Sequence, residues 1–197
     1  MSAWYDGREA LIADIVDFRP WNEQEEKDRG LILHALRTNE DIFTRQNTLV
    51  HMTASAWVVN PQRDKALMAW HNIYHSWSWL GGHADGDTNL LAVALREVRE
   101  ESGIQRVRPV LTAPFSLESL TVDGHEKRGQ YVSSHLHLNV TYLLEADDSQ
   151  HTAAKPDENS AVGWFSLEEA VAASNEEWFR ERIYSKLNEK LKLVWIK

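Results

Sequence analysis

The sequence contains no cysteine. That one absence excludes disulfides, zinc–thiolate centres and a cysteine nucleophile together. Long apolar runs are missing as well: nothing approaches the ~20 residues that a membrane helix needs. Residues 1–9 lack the basic and apolar blocks of a signal peptide. The expectation is a cytoplasmic protein with no membrane partner. Positive charge is scarce, with 21 Lys and Arg against 30 Asp and Glu and a formal net charge of -9. An acidic surface repels a phosphate backbone, so no nucleic-acid polymer is expected as a partner. A small phosphorylated substrate stays compatible, because carboxylates gathered round a divalent cation let that cation meet the phosphates. Solubility alone accounts for most of the carboxylates. Internal repeats and low-complexity tracts are absent too.

What is present describes a folded domain. The 197 residues, 43% hydrophobic and 26% charged, suffice for one domain of ordinary size with a real core. In residues 7–18, Leu11, Ile12, Ile15 and Val16 recur at helical spacing, and Pro20 ends that helix. A second helix is predicted over residues 23–37. The two form an N-terminal helical extension, residues 1–44, packed on a main domain of residues 45–197. Strand patterns follow at 49–59 and 66–71, separated by an Asn60–Pro61 turn. Next come an aromatic-rich loop (HNIYHSWSW), a glycine turn at Gly81–Gly82 and a helix over 89–102. Weaker strand patterns at 107–111 and 116–122 precede a polar loop opened by Asp123–Gly124 and a long strand over 132–144. A polar loop at 155–160, a short strand at 162–165, a Ser166/Glu169 capping box and a C-terminal helix over 175–192 complete the chain. The pattern predicts an α/β/α sandwich around a mixed sheet.

The stretch GGHADGDTNLLAVALREVREESGI, residues 81–104, carries the chemistry. Glu97, Glu100 and Glu101 are spaced i, i+3 and i+4, which puts three carboxylates on one helix face. Like charges at that spacing repel, and a cation between them offsets the repulsion. Hard oxygen ligands suit magnesium or manganese, which also bind substrate phosphates. Arg96 precedes Glu100 by four residues and is placed to pair with it. Leu91, Ala94, Leu95 and Val98 form an apolar stripe on the other face. Gly103 suits a left-handed cap. A solvated helix face is the alternative account of the glutamates alone; the combination of glycines, stripe, arginine and spaced acids is what points to a metal centre.

That combination resembles the Nudix box, G-x5-E-x7-R-E-U-x-E-E-x-G-U, in which U is a bulky aliphatic residue. Gly82 matches the first glycine, and Arg96-Glu97-Val98-Arg99-Glu100-Glu101-Ser102-Gly103-Ile104 matches the whole second half. One position departs: Thr88 stands where the family has glutamate. Asp87 beside it is placed to take over part of that role, and Gly-Asp-Thr equally suits a helix N-cap.

The resemblance implies a Nudix-type fold and a pyrophosphohydrolase that cleaves a phosphoanhydride bond in a nucleoside diphosphate-linked or related small molecule. It implies Mg2+ or Mn2+ held by Glu97, Glu100 and Glu101, with Arg96 orienting them. It also points to Glu158, in the loop before Trp164, as a remote carboxylate with a metal or base role, against simple solvation of that loop. Two other functions compete. Isopentenyl diphosphate isomerisation on this fold relies on a cysteine that the chain lacks. A non-catalytic binding or regulatory module typically loses box glutamates, and only Thr88 speaks for it. Subfamily markers downstream of the box name no substrate: Pro114 is too early for an ADP-ribose hydrolase and Tyr131 too late for a diadenosine polyphosphate hydrolase.

His135 and His137 alternate on one strand face with Asn139 and Thr141, while Leu136, Leu138, Val140 and Tyr142 face the core. The histidines are expected to line the substrate cleft or to be satisfied by hydrogen bonds, with metal ligation disfavoured. His83, after the glycines, is either a phosphate contact or a partly exposed turn residue. Gly82 and Trp164 are further substrate-binding candidates, and Trp77 and Trp79 lie near enough in sequence to stack on a base. Trp57 and Trp70 are expected in the core. Packing of the helical extension, or a homodimer contact, accounts for Trp4, Trp21, Trp178 and Trp195.

Overall fold

The two apolar stripes at the N-terminus fold as the helices that they predict. In the computed structural model, which describes residues 3–127 and 129–194, α1 spans Ala3–Asp17 and α2 Glu23–Thr38. Asn22 caps α2, its side chain accepting from the Glu25 N–H at 2.9 Å. Leu11 and Ile15 of α1 and Ile32 and Leu36 of α2 are buried. Trp195 and the side chain of Trp4 lie outside the described residues.

The strands are β1 (Val50–Val59), β2 (Lys65–His71), β3 (Ser76–Ser78), β4 (Leu80–His83), β5 (Val107–Pro109), β6 (Ser116–Val122), β7 (His125–Lys127), β8 (Gln130–Val132), β9 (His135–Ala146) and β10 (Asn159–Ser166). Eight of them form one sheet in the order β10-β2-β1-β9-β5, with β3 beside β2, β4 beside β1 and β6 beside β9. Helices α3 (Leu90–Ser102), α4 (Leu167–Ala173) and α5 (Ser185–Val194) complete an α/β fold with a mixed sheet and flanking helices. Among the described residues no helix is long and apolar enough to cross a membrane.

Several local expectations change for identifiable reasons. The aromatic segment is not a loop throughout: Ser76–Ser78 pairs with β2, setting Trp77 opposite Trp70 with ring centroids 5.8 Å apart. Gly81 and Gly82 are strand residues of β4 and not a turn. The left-handed glycines are Gly86 (φ 96), Gly103 (φ 74) and Gly129 (φ 74), and Gly103 ends α3 as its position suggests. The N-cap of α3 is Asn89, whose side chain accepts from the Ala92 N–H at 3.1 Å; Asp87 in turn accepts from the Asn89 N–H at 2.9 Å. The polar loop after Asp123 contains the β7–β8 hairpin. The C-terminal helix is split: a π-helical turn, Phe179–Tyr184, precedes α5. That turn seats Tyr184 against Trp57, centroids 5.4 Å apart, with its hydroxyl accepting from the Trp79 N–H at 3.2 Å. The Ser166/Glu169 capping box forms in full.

The chain comprises two compact units: Met1–Ala54, Gly82–Val93 and Ala113–Thr141 in one, Ser55–Gly81, Ala94–Thr112 and Tyr142–Lys197 in the other. In the first, α2 rests on β6 through a buried polar network. Ser116 Oγ bonds Glu25 at 2.6 Å and also Glu118, and Glu118 accepts from Asn139 at 3.0 Å and Thr141 at 2.7 Å. The β9 face of Asn139 and Thr141, polar in sequence, is thus fully buried. The second unit packs Trp57, Leu67, Met68, Leu80, Ile104 and Leu187. Trp70 is half-buried, and Trp21 and Trp178 are exposed.

Thr88 has a packing partner in the first unit. A Cβ built on Gly7 of α1 would lie 2.0 Å from Thr88 Oγ1 and 2.8 Å from Thr88 Cβ. Gly7 therefore makes room for a β-branched side chain, and that contact leaves little space for the longer glutamate of the Nudix box. Gly7→Ala is expected to lower stability by about 1–3 kcal/mol through overpacking. Thr88→Glu should lower it at least as far. Urea unfolding of both variants checks this, and unchanged midpoints would mean that α1 does not depend on this contact.

Candidate metal centre

Helix α3 sets the geometry. Its buried apolar residues are Leu90, Val93, Ala94 and Val98, a stripe rotated from the predicted one, with Leu91 and Leu95 only half-buried. The rotation carries Glu101 inward, to 8% exposure, and leaves Glu97 half-buried and Glu100 exposed. Ligand oxygens of Glu97, Glu101 and Glu158 lie within 4.8 Å of one another. Glu100 is not in that set. Its carboxylate meets the Lys155 ammonium at 3.4 Å, and Lys155 also holds Glu158 at 3.1 Å. Arg96 pairs with its neighbour Glu97 at 3.3 Å.

Each ligand is fixed from behind. The Gly81 N–H donates to Glu101 Oε2 at 3.0 Å. Asn159, itself buried, donates to the Glu101 carbonyl at 3.0 Å, and its side-chain oxygen accepts from the Lys155 N–H at 3.1 Å. The Asn72 N–H donates to the Glu158 carbonyl at 3.1 Å, and its amide reaches the Pro156 carbonyl at 3.1 Å. Two asparagines thus fasten the loop that presents Glu158. Sequence reasoning missed Asn72, Asn159, Lys155 and the Gly81 N–H. Only the adjacency of Asn159 and Lys155 to Glu158 could have drawn attention to them.

Burial pushes the Glu101 carboxyl up to about 8; the Gly81 bond and Lys155 act against the rise, while the charges of Glu97 and Glu158 add to it. Burial also raises Glu97, with Glu100 and Glu158 adding and Arg96 and Lys155 opposing. Glu97 and Glu101 thus resist ionisation together, which marks a cluster lacking positive charge, and a hard dication supplies it.

Among the remaining predicted residues, His83, His135 and His137 gather with His51, which sequence reasoning overlooked: the His51 centroid lies 5.2, 4.9 and 4.8 Å from those of His83, His135 and His137. Gly82 sits half-buried in β4. Trp164 of β10 pairs with Leu67, and its indole N–H is buried without a hydrogen-bond partner among the described residues. The rings of Trp77 and Trp79 pack on Phe165 at 4.8 Å and on Tyr184 at 5.7 Å.

A glutamate-bearing helix that ends in a left-handed glycine, with a loop carboxylate brought to its buried edge, is a centre of the kind that the box motif describes. The NUDIX domain model matches residues 49–187, and the chain belongs to the Nudix family. It is 32% identical over 97 residues to the bis(5'-nucleosyl)-tetraphosphatase (asymmetrical) of Mus musculus, a stretch covering 49% of this chain and 59% of that protein. The chain thus spans about three-fifths of the length of the curated relatives it matches. Among solved structures, a NUDIX-family hydrolase from Clostridium perfringens aligns at a TM-score of 0.51 and 22% identity, covering 73% of this chain and 97% of that one. An Ap4A hydrolase from C. elegans aligns at 0.50 and 16%, covering 74% and 97%. At these identities the structures establish the shared fold.

Proposed function

We propose that the chain is a divalent-cation-dependent pyrophosphohydrolase acting on nucleoside diphosphate-linked small molecules, with dinucleoside polyphosphates as the substrate class to test first. The observation that carries this reading is the convergence of Glu97, Glu101 and Glu158. An all-carboxylate donor set fits Mg2+ or Mn2+ and disfavours softer metals. When bound, the cation neutralises diphosphate charge and lowers the pKa of an attacking water. Glu97 and Glu101 hold it, and Arg96 keeps the Glu97 carboxylate in place. Glu158, tethered by Lys155, either completes the ligand set or takes the proton of the water. Glu100 acts through Lys155, holding the ammonium beside Glu158. Gly82 and Trp164 are the proposed substrate contacts. The similarity to tetraphosphatases favours dinucleoside polyphosphates.

The test is hydrolysis of dinucleoside polyphosphates, nucleoside triphosphates and nucleotide sugars with Mg2+ or Mn2+, with products resolved by chromatography. Turnover abolished by chelation is expected. Binding without turnover of any substrate would replace this reading with that of a regulatory module. The raised Glu101 pKa adds a pH dependence. A cation must displace the proton that Glu101 retains below about 8, so apparent Mg2+ affinity should rise by up to about tenfold per pH unit towards that value and then level off. Calorimetric titration between pH 6 and 9 measures it, and an affinity independent of pH would remove Glu101 from the ligand set.

A further inference from the structure

Four histidines from three strands meet in the first compact unit: His51 on β1, His83 on β4, and His135 and His137 on β9. One ring nitrogen from each of His51, His83 and His137 lies within 4.8 Å of the others. His51 is 4% exposed. Its Nδ1 lies 2.9 Å from the Asn47 carbonyl. A carbonyl only accepts, so Nδ1 carries the hydrogen and Nε2 presents a lone pair in the neutral ring. That Nε2 is buried and has no hydrogen-bond partner among the described residues. His135 is oriented in the same way, its Nδ1 2.8 Å from the Ser133 carbonyl and its Nε2 3.1 Å from His137 Nε2. A backbone carbonyl fixing one ring nitrogen while the other faces a shared centre is the outer-shell arrangement of metal-bound histidines. Two nitrogens on one ion at ~2.0–2.1 Å stand about 3.0–3.4 Å apart, which the Nε2 pair matches.

We propose that His51, His83 and His137, with His135 as a fourth donor, form a second cation site that takes a zinc-class divalent metal and clamps β1, β4 and β9 together. Imidazole nitrogen selects such ions over Mg2+ and Mn2+, which prefer oxygen. The site stands independently of the proposed hydrolysis.

The experiment uses the full chain without a histidine tag, stripped of metal and titrated with Co2+ while visible d–d absorption is followed, then with Zn2+ as competitor. The expected result is one nitrogen-ligated Co2+ per chain, displaced by Zn2+, and a melting temperature raised by Zn2+. His137→Ala and His83→Ala should each weaken binding by more than the 10- to 100-fold that loss of an outer-shell partner causes, and both should abolish the Zn2+ stabilisation. Circular dichroism confirms that each variant is folded. His83 is only half-buried, so its variant keeps the test valid should His137→Ala fail to fold. Glu101→Gln should leave the signal intact. No intense band, a band equal in wild type and both histidine variants, or a band lost in Glu101→Gln but kept in the histidine variants would each overturn the proposal.

Discussion

Glu101→Gln should reduce metal-dependent turnover by about 10³-fold, equivalent to roughly 4 kcal/mol of transition-state stabilisation, while leaving the fold intact. The amide is isosteric and still accepts the Gly81 N–H, which now meets Glu101 Oε2 at 3.0 Å, so the loss reports on charge and not on position. A second readout separates a metal ligand from a structural acid. In the metal-free protein the Glu101 pKa of about 8 lies above the ordinary 4.5. Between those values the folded state keeps a proton that the unfolded chain has released. Stability of the metal-free protein therefore falls as pH rises from about 4.5 to 8. In Glu101→Gln most of that fall should vanish, and the variant should be the more stable of the two at pH 8 without metal. Saturating Mg2+ should reverse the order, because the cation stabilises only the carboxylate form. Thermal melts at several pH values, with and without metal, measure both. A variant with wild-type turnover would refute Glu101 as a ligand whatever its stability.

The centre was partly legible because a helix is a periodic object. The spacing of Glu97, Glu100 and Glu101 identified the face, and the family motif suggested a chemistry for it. The spacing did not tell which two glutamates turn inward, since the apolar stripe of α3 could run through Leu91 and Leu95 or through Leu90, Val93, Ala94 and Val98. The observed choice buries Glu101 and exposes Glu100. Glu100 also meets Lys155 from a loop 55 residues away. Sequence carries no direct signal for that contact, nor for the Asn72 and Asn159 amides that hold the loop. The histidine group shows the complementary gap. Alternation paired His135 with His137, but His51 and His83 join them only through strand neighbourship.

Glu118→Ala should be the most destabilising single change in the first unit, at about 4 kcal/mol. Asn139, Thr141 and Ser116 all bond its buried carboxyl group, Asn139 at 3.0 Å and Thr141 at 2.7 Å. Truncation leaves these groups without that partner in a water-poor interior, at roughly 1–3 kcal/mol for each before relaxation. The cost is a large share of the ~5–15 kcal/mol by which a domain is stable. Alternation along β9 read Asn139 and Thr141 as one polar face with the histidines, which located the polarity without telling what covers it. The reason is α2: Ser116 also bonds Glu25 of that helix, at 2.6 Å, so the extension covers the face and polar partners replace water. Glu118→Ala should therefore also loosen α2, and its amides should exchange faster than those of β9 under native conditions. Glu118→Gln, which retains one acceptor, should cost about half as much. Urea unfolding with hydrogen exchange checks both effects. A cost below about 1 kcal/mol, with α2 exchange unchanged, would mean that the extension is held by its apolar contacts, Ile32 and Leu36 among them, and not by this network.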